Sequence, residues 1–137
     1  MITKMTHVCV YVLNQDSAYD FYTKKLGFKV ITDAQMDKDA RWLTVSPPEQ
    51  LEFEITLIPI KEGTNFTKST AKVMEELVKQ GTFGFGVFKC NDIFATYEEL
   101  KAKGVEFTKP PKEEFYGDEA LFKDDSGNWF SLVSNRK

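Results

Sequence analysis

The chain has 137 residues, of which 42% are hydrophobic and 28% charged. This composition is typical of a globular protein, and the length is sufficient for one domain with a sizeable core. A formal net charge of −3 excludes the basic balance of most nucleic-acid-binding and polybasic membrane-surface proteins. The apolar run at residues 8–13 is too short for a signal-peptide core or a membrane span, so we expect a cytoplasmic protein.

Aromatic side chains are abundant, with 12 Phe, 5 Tyr and 2 Trp. They serve either as core or as the lining of a pocket for a flat or apolar ligand. The two cysteines, Cys9 and Cys90, make neither a disulfide framework nor a CxxC site. We expect both to be reduced thiols.

The chain repeats itself weakly at an offset of 77 residues. The identical pairs are Val10/Val87, Asn14/Asn91, Ala18/Ala95, Lys24/Lys101 and Gly27/Gly104. Each copy has a short apolar strand, an Asn or Asp cap signal, a helix of about ten residues and a closing glycine.

These cap signals and glycines predict the following helices and strands, in chain order. The first copy predicts a helix at 17–26 and strands at 28–31, 41–45 and 51–58. A linker helix is expected at 70–80, with an apolar stripe of Val73, Met74, Leu77 and Val78. The second copy predicts a helix at 93–103 and strands at 105–107, 120–122 and 128–133.

The fold class is therefore α+β, with two βαβββ modules. Halves of about 60 residues are too small for separate cores. We expect them to pair into an open curved-sheet cup and to form a single domain over residues 1–137. Module 1 covers about residues 1–60, a linker with a helix covers 61–81, and module 2 covers about 82–137.

Strand alternation sorts side chains between the core and the cup. In the strand at 51–58 the even positions are polar, which places Glu52, Glu54 and Thr56 toward the cup or solvent. In the first strand His7 and Cys9 share one face, and Val8, Val10 and Val12 share the other, which suits the core. The alternative interpretation is that His7 is a partly exposed strand histidine and that the two glutamates lie on a solvated strand face.

These pieces together resemble the vicinal oxygen chelate superfamily, which includes glyoxalase I, bleomycin-resistance proteins and extradiol dioxygenases. The pieces that carry the resemblance are His7 and residues 21–28, 41–45, 54–57, 97–105 and 124–129. They cover nearly the whole chain in the right order. The resemblance implies the paired modules and the cup described above.

The resemblance also implies a divalent metal held from four strand positions in the metalloenzymes. Here these positions are His7, Glu54, Phe85 and Ser131. Phenylalanine cannot coordinate a metal, and a neutral serine hydroxyl is a poor ligand for Ni²⁺, Zn²⁺, Fe²⁺ or Mn²⁺. One imidazole and one carboxylate fall short of the three protein ligands of a catalytic site, so we expect no cofactor. Cys9 as a third donor beside His7 and Glu54 is the alternative.

The sequence therefore predicts a small-molecule-binding protein whose cup has lost its chelate. The expected pocket residues are His7, Cys9, Glu52, Glu54, Phe83, Phe85, Tyr116, Trp129 and Ser131. The main alternative is a divalent-metal enzyme of glyoxalase I (lyase) or dioxygenase type with a rearranged site, in which Glu54 would be the catalytic residue. A dimeric structural or regulatory module is the third. Family members are usually dimers, so we expect a homodimer with no nucleic-acid or membrane partner.

Overall fold

The computed structural model describes residues 1–38 and 40–134, and the chain divides after Glu75 into two compact units. Each unit contains one βαβββ module with its own four-stranded mixed sheet. The predicted α+β class and the two modules are thus confirmed. Among the helices in the described part of the chain, none is long and apolar enough to span a membrane.

The first unit has the strand order β1-β4-β3-β2. Its elements are β1 (His7–Val12), α1 (Gln15–Asp20) continued by a π-helical turn (Phe21–Lys25), β2 (Lys29–Asp37), β3 (Ala40–Ser46) and β4 (Glu54–Pro59). β1 and β4 are parallel, and the other pairs are antiparallel. The parallel register sets His7 opposite Glu54, and β3 and β4 set Thr44 opposite Thr56.

Local chemistry explains the first helix. The Asn14 side chain accepts a hydrogen bond from the Ser17 amide and caps the helix start. The chain leaves the helix at Gly27, whose φ of 74° suits glycine. The buried side chains of this segment are Ala18, Phe21 and Tyr22. The other buried apolar residues of the strands in this unit are all at most 3% exposed: Val10, Val12, Leu43, Val45, Ile55 and Leu57.

The second unit repeats this arrangement, with the strand order β5-β8-β7-β6. Its elements are β5 (Gly84–Lys89), α3 (Ile93–Ala102), β6 (Glu106–Glu114), β7 (Gly117–Lys123) and β8 (Trp129–Ser134). Asp92 caps α3 by accepting from the amides of Phe94 and Ala95. β6 is longer than predicted because it is an edge strand, and an edge strand tolerates Pro110 and Pro111.

The strand predicted at 51–58 begins three residues late, which removes Glu52 from the sheet. β4 starts at Glu54, and Leu51 and Glu52 lie in an exposed turn. The Pro47 carbonyl accepts from the Gln50 amide, so the chain turns where the alternation suggested a strand. The prediction that Glu52 shares a strand face with Glu54 is therefore wrong.

The linker helix, α2 (Lys68–Lys79), connects the two units. The predicted stripe holds in part, since Val78 is fully buried whereas Val73 is 56% exposed. In the second unit the Val78 carbonyl lies only 2.4 Å from where a Cβ on Gly127 would stand. The last turn of α2 thus packs against the β7–β8 turn, and glycine is required at that contact.

Candidate functional site

The first unit brings together His7 and Glu54, as the resemblance implied. Nε2 of His7 lies 3.0 Å from Oε2 of Glu54, and the side chains are 38% and 20% exposed. The other carboxylate oxygen of Glu54 accepts a 2.7 Å hydrogen bond from the Thr44 hydroxyl. Both oxygens of Glu54 are therefore already engaged by neighbouring side chains.

The donor set of the first unit does not make a metal site of the family's kind. Across residues 1–38 and 40–134, no group of three or more His, Cys, Asp or Glu side chains is placed to hold one ion. Cys9 is an exposed free thiol, so the arrangement does not complete a His7, Cys9 and Glu54 set. Two donors that bond to each other fall short of the three ligands of a catalytic site.

A cavity of about 440 Å³ lies in the first unit. Its apolar wall includes Trp42, Met36 and Pro59, and residues 61–65 form another side. The Trp42 ring is 40% exposed, and its centroid lies 6.4 Å from that of His7. The volume is within the range of small-molecule sites, which are mostly apolar with a few polar groups.

The walls of this cavity are held by specific contacts. Arg41 pairs with Asp33 at 2.8 Å and with Asp16 at 2.6 Å, which ties the β2–β3 hairpin to the start of α1. These bonds, above all the one to Asp33, raise the pKa of Arg41 and lower that of Asp33. The side-chain amide of Gln15 donates to the carbonyls of Arg41 and Leu57. The hairpin wall is thus pre-organised.

The residue 61–65 side is fixed by the segment that follows it. The Gly63 amide donates to the Phe66 carbonyl at 2.9 Å. Phe66 is 8% exposed and meets the Tyr11 ring edge-on at 5.1 Å. A buried aromatic contact therefore anchors the loop beside the cavity.

In the second unit, two other predicted residues, Tyr116 and Ser131, both donate hydrogen bonds to the carboxylate of Glu119. The Ser131 hydroxyl donates to Oε2 of Glu119 at 2.8 Å, and the Tyr116 hydroxyl donates to Oε1 at 2.7 Å. Lys109 adds an ammonium contact at 3.1 Å and bridges to Glu114 at 2.9 Å. Ser131, which the resemblance assigned to the fourth metal position, thus donates to a neighbouring glutamate.

These hydrogen bonds shift the titration of the cluster. The bond from Tyr116, with those from Ser131 and Lys109, lowers the pKa of Glu119. The same bond raises the pKa of the Tyr116 phenol, because the ionised phenol would lose its donor beside a carboxylate. Contact with Glu114 and Glu119 raises the pKa of Lys109.

The Tyr116 bond predicts a bell-shaped stability gap between the wild type and Tyr116→Phe. A lowered Glu119 pKa contributes stability that is full above its ordinary value of 4.5 and is lost as the pH falls through the folded-state pKa. A raised Tyr116 pKa contributes stability that is full below 10.0 and is lost as the pH rises through the folded-state pKa. The gap in free energy of unfolding should therefore be largest near neutral pH and shrink toward both ends.

Urea unfolding at acidic, neutral and alkaline pH measures this gap. Tyr97→Phe in α3 is the matched control, since Tyr97 lies edge-on to Phe107 and outside the Glu119 cluster. A gap for Tyr116→Phe that stays constant across the pH range would contradict the hydrogen bond.

Phe83 and Phe85 stack on each other within the second unit. Their ring centroids lie 6.1 Å apart, and Phe85 is 6.4 Å from Phe130. Phe130 is 2% exposed, and it points to the opposite face of β8 from its neighbour Ser131. The structure therefore brings Phe85 to a core ring, whereas Ser131 joins the Glu119 cluster.

Trp129 covers the edge strand β5. An added Cβ at Gly84 would lie 2.1 Å from the indole ring, so the ring rests directly on the glycine. Trp129 remains 37% exposed, and its amide donates to the Phe83 carbonyl. The close approach explains why a glycine stands in this strand.

Gly84→Ala is expected to destabilise the protein by about 1 to 2 kcal/mol, because the indole must move or the strand must shift. Gly86→Ala in the same strand is the matched control, since nothing lies within 4 Å of its added Cβ. Denaturant unfolding with tryptophan emission as the signal measures both variants. Equal stability of the two would show that Trp129 does not rest on Gly84.

Sequence reasoning placed Thr56 on the cup or solvent face, but it missed several other residues at these sites: Trp42, Thr44, Lys109, Glu114 and Glu119. Thr44 and Thr56 are cross-strand partners, so their role depends on the register of β3 and β4. Alternation along the strand at 41–45 could have indicated Trp42, because it shares a face with Thr44. Glu119 had no such signal, since its role comes from contacts with other strands.

Two modules of this topology, each with a four-stranded mixed sheet, define the class of glyoxalase-like folds. The sequence profile of the Glyoxalase/Bleomycin resistance protein/Dioxygenase superfamily matches residues 4–132. The chain belongs to this superfamily, as the sequence pieces indicated.

Several relatives match this chain over nearly their full lengths. The uncharacterized protein YetH of Bacillus subtilis (strain 168) is 36% identical over 132 residues, which cover 96% of this chain and 98% of YetH. The crystal structure of UcmS2 is 41% identical, with a TM-score of 0.92 and coverage of 97% of this chain and 98% of UcmS2. TnmS3, an antibiotic binding protein from Streptomyces sp. CB03234, is 24% identical, with a TM-score of 0.76 and coverage of 98% of both chains.

Proposed function

We propose that this protein binds a small organic molecule, of the kind that antibiotic-binding members of its superfamily take up, and that it does so without a resident metal. The observation that carries the proposal is the cavity of about 440 Å³ in the first unit, with the half-exposed Trp42 in its wall. Small-molecule sites combine an apolar wall with polar groups, and Trp42, Met36, Ile58 and Pro59 supply the apolar wall here. TnmS3 supports an antibiotic-like ligand, since it is an antibiotic binding protein with a similar fold.

The state of Glu54 supports binding over metal catalysis. A general base needs an oxygen available to the substrate, and a metal ligand needs one available to the ion. Here one oxygen meets His7 and the other accepts from Thr44. In this proposal the His7–Glu54 pair is a structural contact beside Trp42, whose ring centroid lies 6.4 Å from that of His7.

A divalent-metal enzyme of glyoxalase or dioxygenase type is the second candidate. One observation favours it, which is that His7 and Glu54 occupy two family ligand positions within 3.0 Å of each other. Metal binding would have to break that contact and recruit further ligands. This candidate therefore predicts stoichiometric uptake of Ni²⁺, Zn²⁺, Fe²⁺ or Mn²⁺ by the wild type.

Thermal shift and calorimetry with two panels separate the candidates. One panel contains antibiotics of several chemical classes, and the other contains the four metal ions. We expect at least one antibiotic to raise the melting temperature. At 100 times its dissociation constant, a ligand raises the free energy of unfolding by about 2.7 kcal/mol. Tight stoichiometric metal binding would favour the enzyme. No response to either panel would leave a structural or regulatory module as the better explanation.

We also propose that the protein is a homodimer. Each sheet ends in edge strands, whose unpaired backbone groups a second subunit would cover. Light scattering measures the mass in solution. A mass of 15.7 kDa, that of one chain, would contradict the dimer.

A further inference from the structure

Thr56 is the buried polar group at this cavity that lacks an evident role. The residue is 1% exposed and borders the cavity. Its hydroxyl oxygen has no hydrogen-bond partner among the residues that the structure describes. Leaving a buried hydroxyl unpaired is unfavourable, and native proteins rarely do so without a reason.

The neighbouring Thr44 shows that a buried threonine in this part of the sheet can form hydrogen bonds. Thr44 stands opposite Thr56 on β3 and is equally buried. Its hydroxyl donates to Glu54 and accepts from the Thr32 amide. One hydroxyl of the pair is thus fully engaged within the protein, whereas the other, on a residue that borders the cavity, has no hydrogen-bond partner among the described residues.

The rest of the lining restricts what could satisfy Thr56. The apolar side of the cavity is Trp42, Met36, Ile58 and Pro59, which favours a flat hydrophobic body. The charged lining residues are of both signs: Lys38, Arg41 and Lys61 against Asp37 and Glu62. Arg41 is held by Asp16 and Asp33, so its charge is already compensated. Such a lining favours a neutral ligand.

We infer that Thr56 is a specificity-determining residue of this cavity, and that the ligand is a neutral aromatic molecule with a carbonyl or hydroxyl oxygen at its buried end. A threonine hydroxyl can donate to a carbonyl or exchange bonds with a hydroxyl, so either group completes it. The aromatic body packs against Trp42. This inference rests on the proposed function, because it names the ligand class of the same cavity.

Naphthol and naphthalene test the inference, because they differ only in one hydroxyl. Calorimetry is run on the wild type, Thr56→Val, Thr56→Ser and Thr44→Val. We expect the wild type to bind naphthol about tenfold more tightly than naphthalene, since a site built for a hydroxyl rejects its absence. Thr56→Val should bring the ratio close to one, and Thr56→Ser should keep the preference.

The control variants separate a bond from a general disturbance of the sheet. Thr44→Val removes an engaged hydroxyl, so it should lower the melting temperature yet keep the naphthol preference. Thr56→Val removes a hydroxyl without a protein partner, so its melting temperature should be equal to or above that of the wild type. An unchanged naphthol preference in Thr56→Val would overturn the inference.

The outcomes also distinguish this inference from the proposed function. If neither naphthalene nor naphthol binds while an antibiotic from the panel does, the aromatic ligand class is wrong and small-molecule binding stands. If neither the aromatic probes nor the panel binds, both fail.

Discussion

Asp124→Ala should destabilise the protein by about 3 kcal/mol or more, because four hydrogen bonds to a buried carboxylate are lost together. Asp124 is 6% exposed. One of its oxygens accepts from the amides of Ser126, Gly127 and Asn128, and the other accepts from the Asn128 side chain. With alanine, these buried donors have neither the carboxylate nor full access to water.

The turn held by Asp124 also positions part of the candidate site. β8 starts at Trp129, directly after this turn, and carries Ser131 to Glu119. Loss of the turn should therefore also disturb the tryptophan that rests on Gly84. We expect the emission of Trp129 to shift in Asp124→Ala even under folding conditions.

Two variants serve as controls for Asp124→Ala, measured by urea unfolding. Asp125→Ala removes the next, exposed aspartate and should change stability by about 0.5 kcal/mol or less. Asp124→Asn keeps an oxygen for the backbone amides but sets an NH₂ group against Asn128, so it should fall between the two. A loss for Asp124→Ala no greater than that for Asp125→Ala would refute the role of the carboxylate.

Trp42→Ala should weaken binding of any antibiotic identified in the panel by about 30-fold, which is the effect of removing a central aromatic contact worth about 2 kcal/mol. The ring is 40% exposed in the free protein and forms part of the cavity wall. Because it is not a core side chain, the free energy of unfolding should change by about 1 kcal/mol or less.

Phe94→Ala is the matched control for Trp42→Ala. Phe94 is 53% exposed on α3, in the second unit, so removing it deletes a comparable exposed ring away from the cavity. Calorimetry on both variants should show lost affinity only for Trp42→Ala. Equal affinities of the two variants would mean that the ligand does not use the cavity.

Periodicity and caps were sufficient to predict the two modules. Alternation placed Val10 and Val12 in the core and His7 on the opposite face, and both valines are at most 1% exposed. Helix caps and strand alternation depend on residues that are close in sequence, so they can be recognised from the sequence alone. The alternation failed at Leu51, where a turn bonded to Pro47 replaces the first residues of the strand.

The polar contacts at the candidate site depend on register between strands, which the sequence does not display. The adjacency of His7 and Glu54 followed from family resemblance, and the parallel register of β1 and β4 produces it. The capture of Ser131 by Glu119 needs β7 beside β8 in one particular register. The unsatisfied hydroxyl of Thr56 could emerge only once every possible partner had a position.

Nuclear magnetic resonance mapping of a bound antibiotic tests the central claim most directly. We expect the signals of the Trp42 indole N–H, the Thr56 amide and the amides of residues 61–65 to shift together and to saturate at one ligand per chain. The amides around Glu119 serve as the internal reference in the second unit. Saturable binding that leaves the Trp42 and Thr56 signals unmoved would contradict the claim that this cavity is the ligand site.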